Sequence, residues 1–480
     1  GLEESHHIGR IVLHPSNPSI AWVAVLGHLY TKNKERGVYK TLDGGKSWQQ
    51  TLFINDSTGC VDLCIDPQSS EILYASIWER TRVAWNFNGS GEASAVYKST
   101  NGGETWINST KKESGFPTGH GVGRIGISIC KNNPSVLYAL LDNQFNQEEE
   151  KNKEKKIKAK ELQNMSSSDF LQLDSIALAN YLEENGYPAK YTVDSVKTAV
   201  KNKVFSVKDI ADWKLADADN NLFDTPVVGA ELYRSNDAGS TWTKTHTDLL
   251  EGVYFTYGYY FGTISVSPNN PDKVCIAGYP ILLSEDGGKT FRQIDGDNCH
   301  PDYHRVWINP LNDKHIIAGN DGGINITYDD GNHWIKANNP PVGQFYAVQV
   351  DDAKPYNVYG GLQDNGTWMA SSNTVENTAW HQTGQNAYTN IGDGDGMQVM
   401  VDTRNNETTY VGYQFGNYYR LPKITSSPVY ITPKHDIGQK PFRFNWQTPI
   451  LLSKHHQDIL YIGSNILHRS LHQGEEMKEI

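Results

Sequence analysis

Three observations in this 480-residue sequence predict an all-β fold, a β-propeller of four-stranded blades. Aromatic residues are abundant (12 Trp, 26 Tyr, 14 Phe), and 43 glycines cut the apolar runs into strand-length pieces. A short motif recurs five times: TLDGGKSW at 41–48, STNGGETW at 99–106, SNDAGSTW at 235–242, SEDGGKTF at 284–291 and TYDDGNHW at 327–334. A degraded copy, SLHQGEEM, lies at 470–477. Finally, an apolar strand, a turn rich in Pro, Asn and Asp, and a second apolar strand form a looser unit that repeats eight times.

The turns of that looser unit fall at Pro15, Pro67, Lys131, Pro268, Pro310, Asp352, Thr403 and Lys454. All steps but one are the length of a four-stranded blade; the step from Lys131 to Pro268 is far longer and marks an insertion. Within a unit the order is strand A, turn, strand B, loop, strand C, the Asp-Gly motif, strand D. RGVYKTLDGGKSWQQTLF shows the last three parts, with Val38–Thr41 as strand C and Trp48–Phe53 as strand D. The motif thus spans the outer hairpin. Its Asp is placed to accept backbone N–H groups, its glycines supply positive φ, and its aromatic fills the space between blades.

The expected domain plan is blades over 1–141, a helical insertion in a B–C loop over 142–226, and further blades over 227–480. The insertion opens on the charged QEEEKNKEKKIKAKELQNM. It continues with helical periodicity, starts near Ser168 and Thr192, and a stop at Gly186-Tyr187-Pro188. Two to four helices are expected there.

Composition excludes several classes. A net charge of −12 argues against general nucleic-acid binding, and the basic run Lys151–Lys160 is interleaved with glutamates and reads as a solvated helix. No apolar stretch approaches the roughly 20 residues that cross a bilayer. No signal peptide is present, and a start on Gly1 reads as a processed form or an excerpt. The five cysteines are too scattered for a disulfide framework; Cys60 and Cys64, four apart on one strand, should not bridge. No cofactor motif is found: there is no phosphate-binding Gly loop, G-x-S-x-G elbow, H-E-x-x-H or C-x-x-C.

In a four-stranded blade the A–B and C–D turns share one face, and the B–C loops and D–A crossovers share the other. The Asp-Gly motifs therefore mark a structural face, and the opposite face collects acids, amides, imidazoles and aromatics suited to a sugar or peptide. Asn320 and Asp321, then Gln363, Asp364 and Asn365, then Tyr413 and Gln414 stand on B–C loops. His300, Asp302 and His304 (in CHPDYHR), Asp393 and Asp395 (in GDGDG), and Asn445 and Trp446 (in FNWQ) stand on crossovers. His300, Asp302 and His304 alternate and offer a metal-like donor set, for which a hydrogen-bonded cluster at a strand entrance is the preferred alternative. Asp393 and Asp395 read as a tight turn. Asp321, Asp364 and Asp395 are the best catalytic candidates, because facing carboxylates serve acid/base glycoside hydrolysis. No metal site is assigned.

The recurring boxes resemble Asp-box, or BNR, repeats of sialidase-like and sortilin-like propellers. HIGRIVLHPSNP, ERGVYKTLDGGKSW, GNDGGINITYDDG and YGGLQDNG further resemble a bacterial family of secreted BNR-repeat proteins, described as sortilin/Vps10-like or as glycosyl hydrolases. The resemblance implies an extracellular, cell-surface or periplasmic location, with further propeller or anchoring domains outside this chain. Two features depart from it. An F-R-I-P-like arginine is missing, which argues against sialidase activity, although Arg10, Arg124 and Arg305 stand near strand A entrances. The cysteine-dense module that follows the sortilin propeller is also absent. The leading expectation is a propeller that binds a glycan or polypeptide on its B–C face, with the insertion as lid or docking arm. A BNR-type glycoside hydrolase and a structural module of a larger secreted assembly are the alternatives.

Overall fold

The computed structural model describes residues 2–147, 156–216, 227–337, 343–375 and 387–480. Among them the chain forms eight four-stranded antiparallel sheets, each an A-B-C-D meander, the blades of a β-propeller fold. Each of the eight predicted strand–turn–strand repeats is the inner A–B hairpin of one blade. The chain divides into two compact units. The first takes in Gly1–Glu148 and Asp224–Pro340 and holds five blades; the second takes in Glu149–Phe223, Pro341–Trp380 and Gln385–Ile480 and holds three blades and the helices.

Burial between consecutive blades supplies the core. In the first unit one cluster joins Trp22, Val38 and Leu52 to Leu63, Leu73 and Ile77, and another joins Tyr74 and Val96 to Ile125, Leu141 and Trp242. The inner strands approach closely: a Cβ on Gly126 would lie 1.7 Å from the carbonyl oxygen of Gly262, so only glycine fits there.

The Asp-Gly motif is the fastener the sequence implies. Asp43 Oδ1 accepts the Ser47 N–H at 2.9 Å and its Oδ2 accepts the Ser47 hydroxyl at 2.6 Å. Thr41 Oγ1 accepts the Gly45 N–H at 2.9 Å and donates to Asp43 Oδ1 at 2.8 Å, which explains the hydroxyl residue that opens each box. Each box is pinned to the A–B turn of its own blade: the Gly44, Gly102, Ala238 and Gly287 N–H groups donate to Ser19, Glu71, Ser135 and Asp272 carbonyls. Box aromatics reach the preceding blade, as where Trp242 Nε1 donates to Ser109 O at 3.2 Å. In the degraded copy His472 replaces the acid, yet Ser470 Oγ still accepts the His472 and Gly474 N–H groups.

The insertion differs from expectation in number. Strand B of the third blade runs Leu137–Asn146 and strand C begins at Val227, with Asn146 paired to Val227, so the hairpin continues past position 142. Among the described residues five helices follow rather than two to four: α1 (Ala159–Gln163), α2 (Ser167–Leu171), α3 (Ser175–Glu184), α4 (Val193–Lys201) and α5 (Val207–Leu215). Ser166, Asp174, Thr192 and Ser206 cap the last four, and Ser206 with Asp209 forms a full capping box. Short capped helices escape a periodicity reading, hence the undercount. Residues 148–155, the first part of the charged run, lie outside the described residues. Within the second unit the helices pack on the segment near Ile437, which joins their core; Trp213 Nε1 donates to His435 O at 2.9 Å.

Candidate functional site

The inner strands aim the site residues. In the first unit strand A carries a register shift near its start in four blades: between Ile8 and Arg10, Cys60 and Asp62, Val122 and Ile125, and Tyr303 and Arg305. In the second unit the sixth blade has one between Phe345 and Ala347. Such bulges redirect side chains and recur beside functional sites. His304 and Tyr346 are the extra residues at two of these bulges and hold equivalent places in their blades.

In the first unit His304 meets the B–C loop of its own blade, with Nε2 2.8 Å from Asp321 Oδ1. Asp302 adjoins both. Burial, then the Asp321 charge, pushes its carboxyl up to about 6. The hydrogen bond to Asp321 raises His304 above its ordinary value, and Phe261 stacks on its ring at 5.7 Å between centroids. Asn320 Nδ2 donates to His300 O at 2.8 Å and ties the crossover to the loop. Asp302 has φ +64, so CHPDYHR turns before its strand starts at Tyr303. That turn breaks the expected alternation, and His300 Nδ1 is engaged by Pro301 O at 2.9 Å instead. Among the described residues the three-donor group close enough to share an ion is a different one: Glu4, His6 and His28.

Arg124 lies near His304 and belongs to a cluster of arginines. Arg124 Nη1 donates to the carbonyls of Tyr259 and Tyr260, both at 2.9 Å, and its guanidinium lies 5.9 Å from the Trp78 ring. Arg80 lies 5.2 Å from the same ring, and its Nε and Nη2 are buried without a hydrogen-bond partner among the described residues. Burial, then repulsion from Arg36, Arg124 and Arg82, lowers Arg80 to about 10. By topology Arg36, Arg80, Arg82 and Arg124 all belong to the B–C and D–A face. Arg10 is neutralised by Asp62, 2.8 Å away. Buried Asp142, also near Arg124, is pushed up to about 7 by desolvation. On the same face a cleft of about 570 Å³ opens among Asn55, Glu79, Asn88, Ser90, Glu92 and His120.

Four of the candidates in the second unit, Asp364, Asp395, Gln414 and Trp446, form one network with Tyr346. Asp395, buried, accepts the Asp364 N–H on Oδ1 at 3.0 Å and the Tyr346 hydroxyl on Oδ2 at 3.2 Å. Gln414 Oε1 accepts the Asp395 N–H at 3.1 Å, and Trp446 Nε1 donates to Tyr346 Oη at 3.3 Å. Trp446 O accepts from Phe415 N, and their rings meet edge-on at 5.1 Å. Asp364 and Phe415 both sit at φ +59, a left-handed conformation that aspartate tolerates and that strains the bulky Phe415. Asp393 is exposed beside Gly394 (φ +71), the expected turn, so GDGDG points one acid out and one in. Asn365 Nδ2 donates to Gln363 O, tightening its own loop, and Asn445 Oδ1 accepts the Trp446 N–H. Tyr413 packs on Tyr419, ring centroids 6.2 Å apart.

Asp321 and Asp364 belong to different units, and inside its own unit each meets another acid: Asp302 for Asp321, Asp395 for Asp364. Asp395 serves as a buried anchor of loop N–H and hydroxyl groups. The sequence places Arg80 on this face, in the B–C loop Trp78-Glu79-Arg80, and Arg124 at a strand entrance; Arg82, and the gathering of Arg80 with Arg36 and Arg124 of other blades, are not visible in it.

No family model matches the chain, and no curated protein matches it. Among solved structures it is similar to a GH74 enzyme of Niastella koreensis, at 14% identity over 98% of this chain and 62% of that one, with a TM-score of 0.30. It is similar to the GH74 xyloglucanase of Xanthomonas campestris, at 12% identity over 98% and 62%, TM-score 0.32. It is similar to YCF48 of Cyanidioschyzon merolae, at 9% identity over 85% and 93%, TM-score 0.29. The chain spans 62% of the length of each of these two GH74 proteins.

Proposed function

We propose that this chain is a ligand-binding propeller that takes a carboxylate-bearing glycan or polypeptide on the B–C face of its first unit. One observation carries the reading: in a chain of net charge −12, Arg36, Arg80, Arg82 and Arg124 gather on that face, and Arg80 is left with two buried guanidinium nitrogens unpartnered among the described residues. Clustering like charges away from water is costly, and an anion seated beside them offsets both the repulsion and the desolvation. Trp78, only 3% exposed, is the buried ring against which Arg80 and Arg124 pack, and it holds both guanidinium groups in place.

The Asp-box repeats and the resemblance to secreted BNR, sortilin/Vps10-like proteins support a secreted, cell-surface or periplasmic setting, with further propeller or anchoring domains beyond this chain. The test is an array of acidic and neutral glycans and peptides probed with wild type and Arg80→Gln. Selective capture of acidic members, lost in the variant, supports the reading; equal capture of neutral members by both proteins overturns it.

A second reading, glycoside hydrolysis, draws on Asp302 and Asp321. A carboxyl raised to about 6 beside a second carboxylate is the pairing that separates general acid from base or nucleophile. Release of reducing ends from a polysaccharide panel, abolished by Asp302→Asn, is its signature.

A further inference from the structure

The N-terminal segment and the B–C loop of the first blade bring three metal-type donors together. Glu4 Oε2 lies 3.0 Å from His28 Nε2 and 3.8 Å from His6 Nε2, and all three donor atoms lie within 4.8 Å of one another. The His6 and His28 rings stack at 3.8 Å with an interplanar angle of 22°, so both present Nε2 to the same carboxylate oxygen. Around a tetrahedral zinc-class ion with bonds of about 2.0–2.1 Å, donors sit about 3.3–3.4 Å apart. The observed separations bracket that spacing.

The surroundings are those of a built site. The other nitrogen of His28, Nδ1, is 2.8 Å from Thr31 Oγ1, the outer hydrogen bond that fixes ring orientation and tautomer in metal-binding histidines. Asn33 ties the two donor-bearing segments together: its Nδ2 donates to Glu4 O at 2.9 Å, and its Oδ1 accepts the His28 N–H at 3.0 Å. Arg36 clamps the same loop through the His28 and Thr31 carbonyls. His6 sits at φ +49 and ψ −51, the centre of a tight turn closed by the His7 N–H on Ser5 O and a costly conformation for a residue with a side chain, and its ring lies over that of His28.

We propose that Glu4, His6 and His28 bind a divalent, zinc-class transition-metal ion. Two imidazoles and one carboxylate make a three-ligand set that leaves a coordination position to water or to an oxygen of a bound ligand. The side chains of His6 and Glu4 are 48% and 61% exposed, so that position is open to solvent. The site lies on the crossover and B–C face and does not depend on the ligand reading above.

The experiment uses the full chain, stripped with chelator and titrated with ZnCl₂ alone by calorimetry, and with CoCl₂ by visible absorption. Wild type binds one tight equivalent, with the absorption of a four-coordinate nitrogen/oxygen site. Glu4→Gln and His6→Ala, both at exposed positions that leave the fold intact, weaken that equivalent at least about tenfold, as does His28→Ala. Thr31→Val weakens it by about tenfold with every ligand present. His300→Ala leaves it unchanged. Absence of a tight equivalent with either ion, or wild-type affinity in Glu4→Gln and His6→Ala, overturns the proposal.

Discussion

His304 Nε2 and Asp321 Oδ1 lie 2.8 Å apart, joining a bulged inner strand to the B–C loop of the same blade. Asp302 adjoins both, so the Asp321 charge acts on the Asp302 carboxyl and on the His304 imidazole together.

The pairing predicts a pH-dependent stability. His304 is raised in the fold, so its contribution is complete below its ordinary value of 6.5 and is lost as pH rises through the folded value. Asp302, raised from 3.8 to about 6, likewise favours the folded state at low pH and loses that contribution as pH passes about 6. Both terms fall with rising pH, and Asp321 contributes to both. Asp321→Asn should therefore be less stable than wild type at pH 5 and equal to it or more stable at pH 8, by urea denaturation at the two values.

The Asp-Gly boxes predict the opposite slope. Hydrogen bonds from Ser47 hold the Asp43 carboxyl well below the usual range, and bonds from Thr290 hold Asp286 at about 2. Depressed carboxylates contribute stability above the unfolded value of 3.8 and lose it as pH falls toward 2. Asp43→Ala and Asp286→Ala should lower Tm at pH 7 and flatten its fall between about pH 4 and 2, while ligand binding stays close to wild type.

Trp242, 3% exposed, fills the seam between the second and third blades. Trp242→Ala should cost about 3–5 kcal/mol of stability by denaturant midpoint, the range for emptying a buried aromatic site. Conservative Trp242→Phe should recover most of it and lose the bond to Ser109 O.

Trp213 anchors the helical insertion within the second unit through His435 O and a stack on Tyr187, ring centroids 4.3 Å apart. Trp213→Ala should release hydrogen-exchange protection in α5 and around Ile437 together, leaving the first five blades unchanged. Protection lost in α5 alone would contradict the docking.

The eight blades were legible because each repeat buries the same A–B hairpin, and burial imposes the apolar pattern. The box was legible for a related reason: Thr41, Asp43 and Gly45 close one local hydrogen-bond cycle, so spacing alone encodes it. The site was legible only by face. His304 and Asp321 stand 17 residues apart, and their meeting depends on a one-residue bulge with no mark in the residues CHPDYHR. The left-handed turn at Asp302, tolerated by aspartate, is equally silent. Arg36, Arg80, Arg82 and Arg124 come from three blades, and no local pattern foretells their convergence. Four of the five described helices, α2 to α5, are marked in the sequence by the caps at Ser166, Asp174, Thr192 and Ser206, which say more than periodicity in helices of five to ten residues; α1 has no such cap.

Side-by-side binding of wild type, Arg80→Gln and Asp43→Ala to an immobilised series of acidic and neutral oligosaccharides and peptides tests the central claim most directly. Binding is predicted to be confined to acidic members, to be lost in Arg80→Gln without a fall in Tm, and to persist in Asp43→Ala. Binding that survives Arg80→Gln and is lost in folded Asp43→Ala would contradict the account, because it would place the ligand on the face of the boxes.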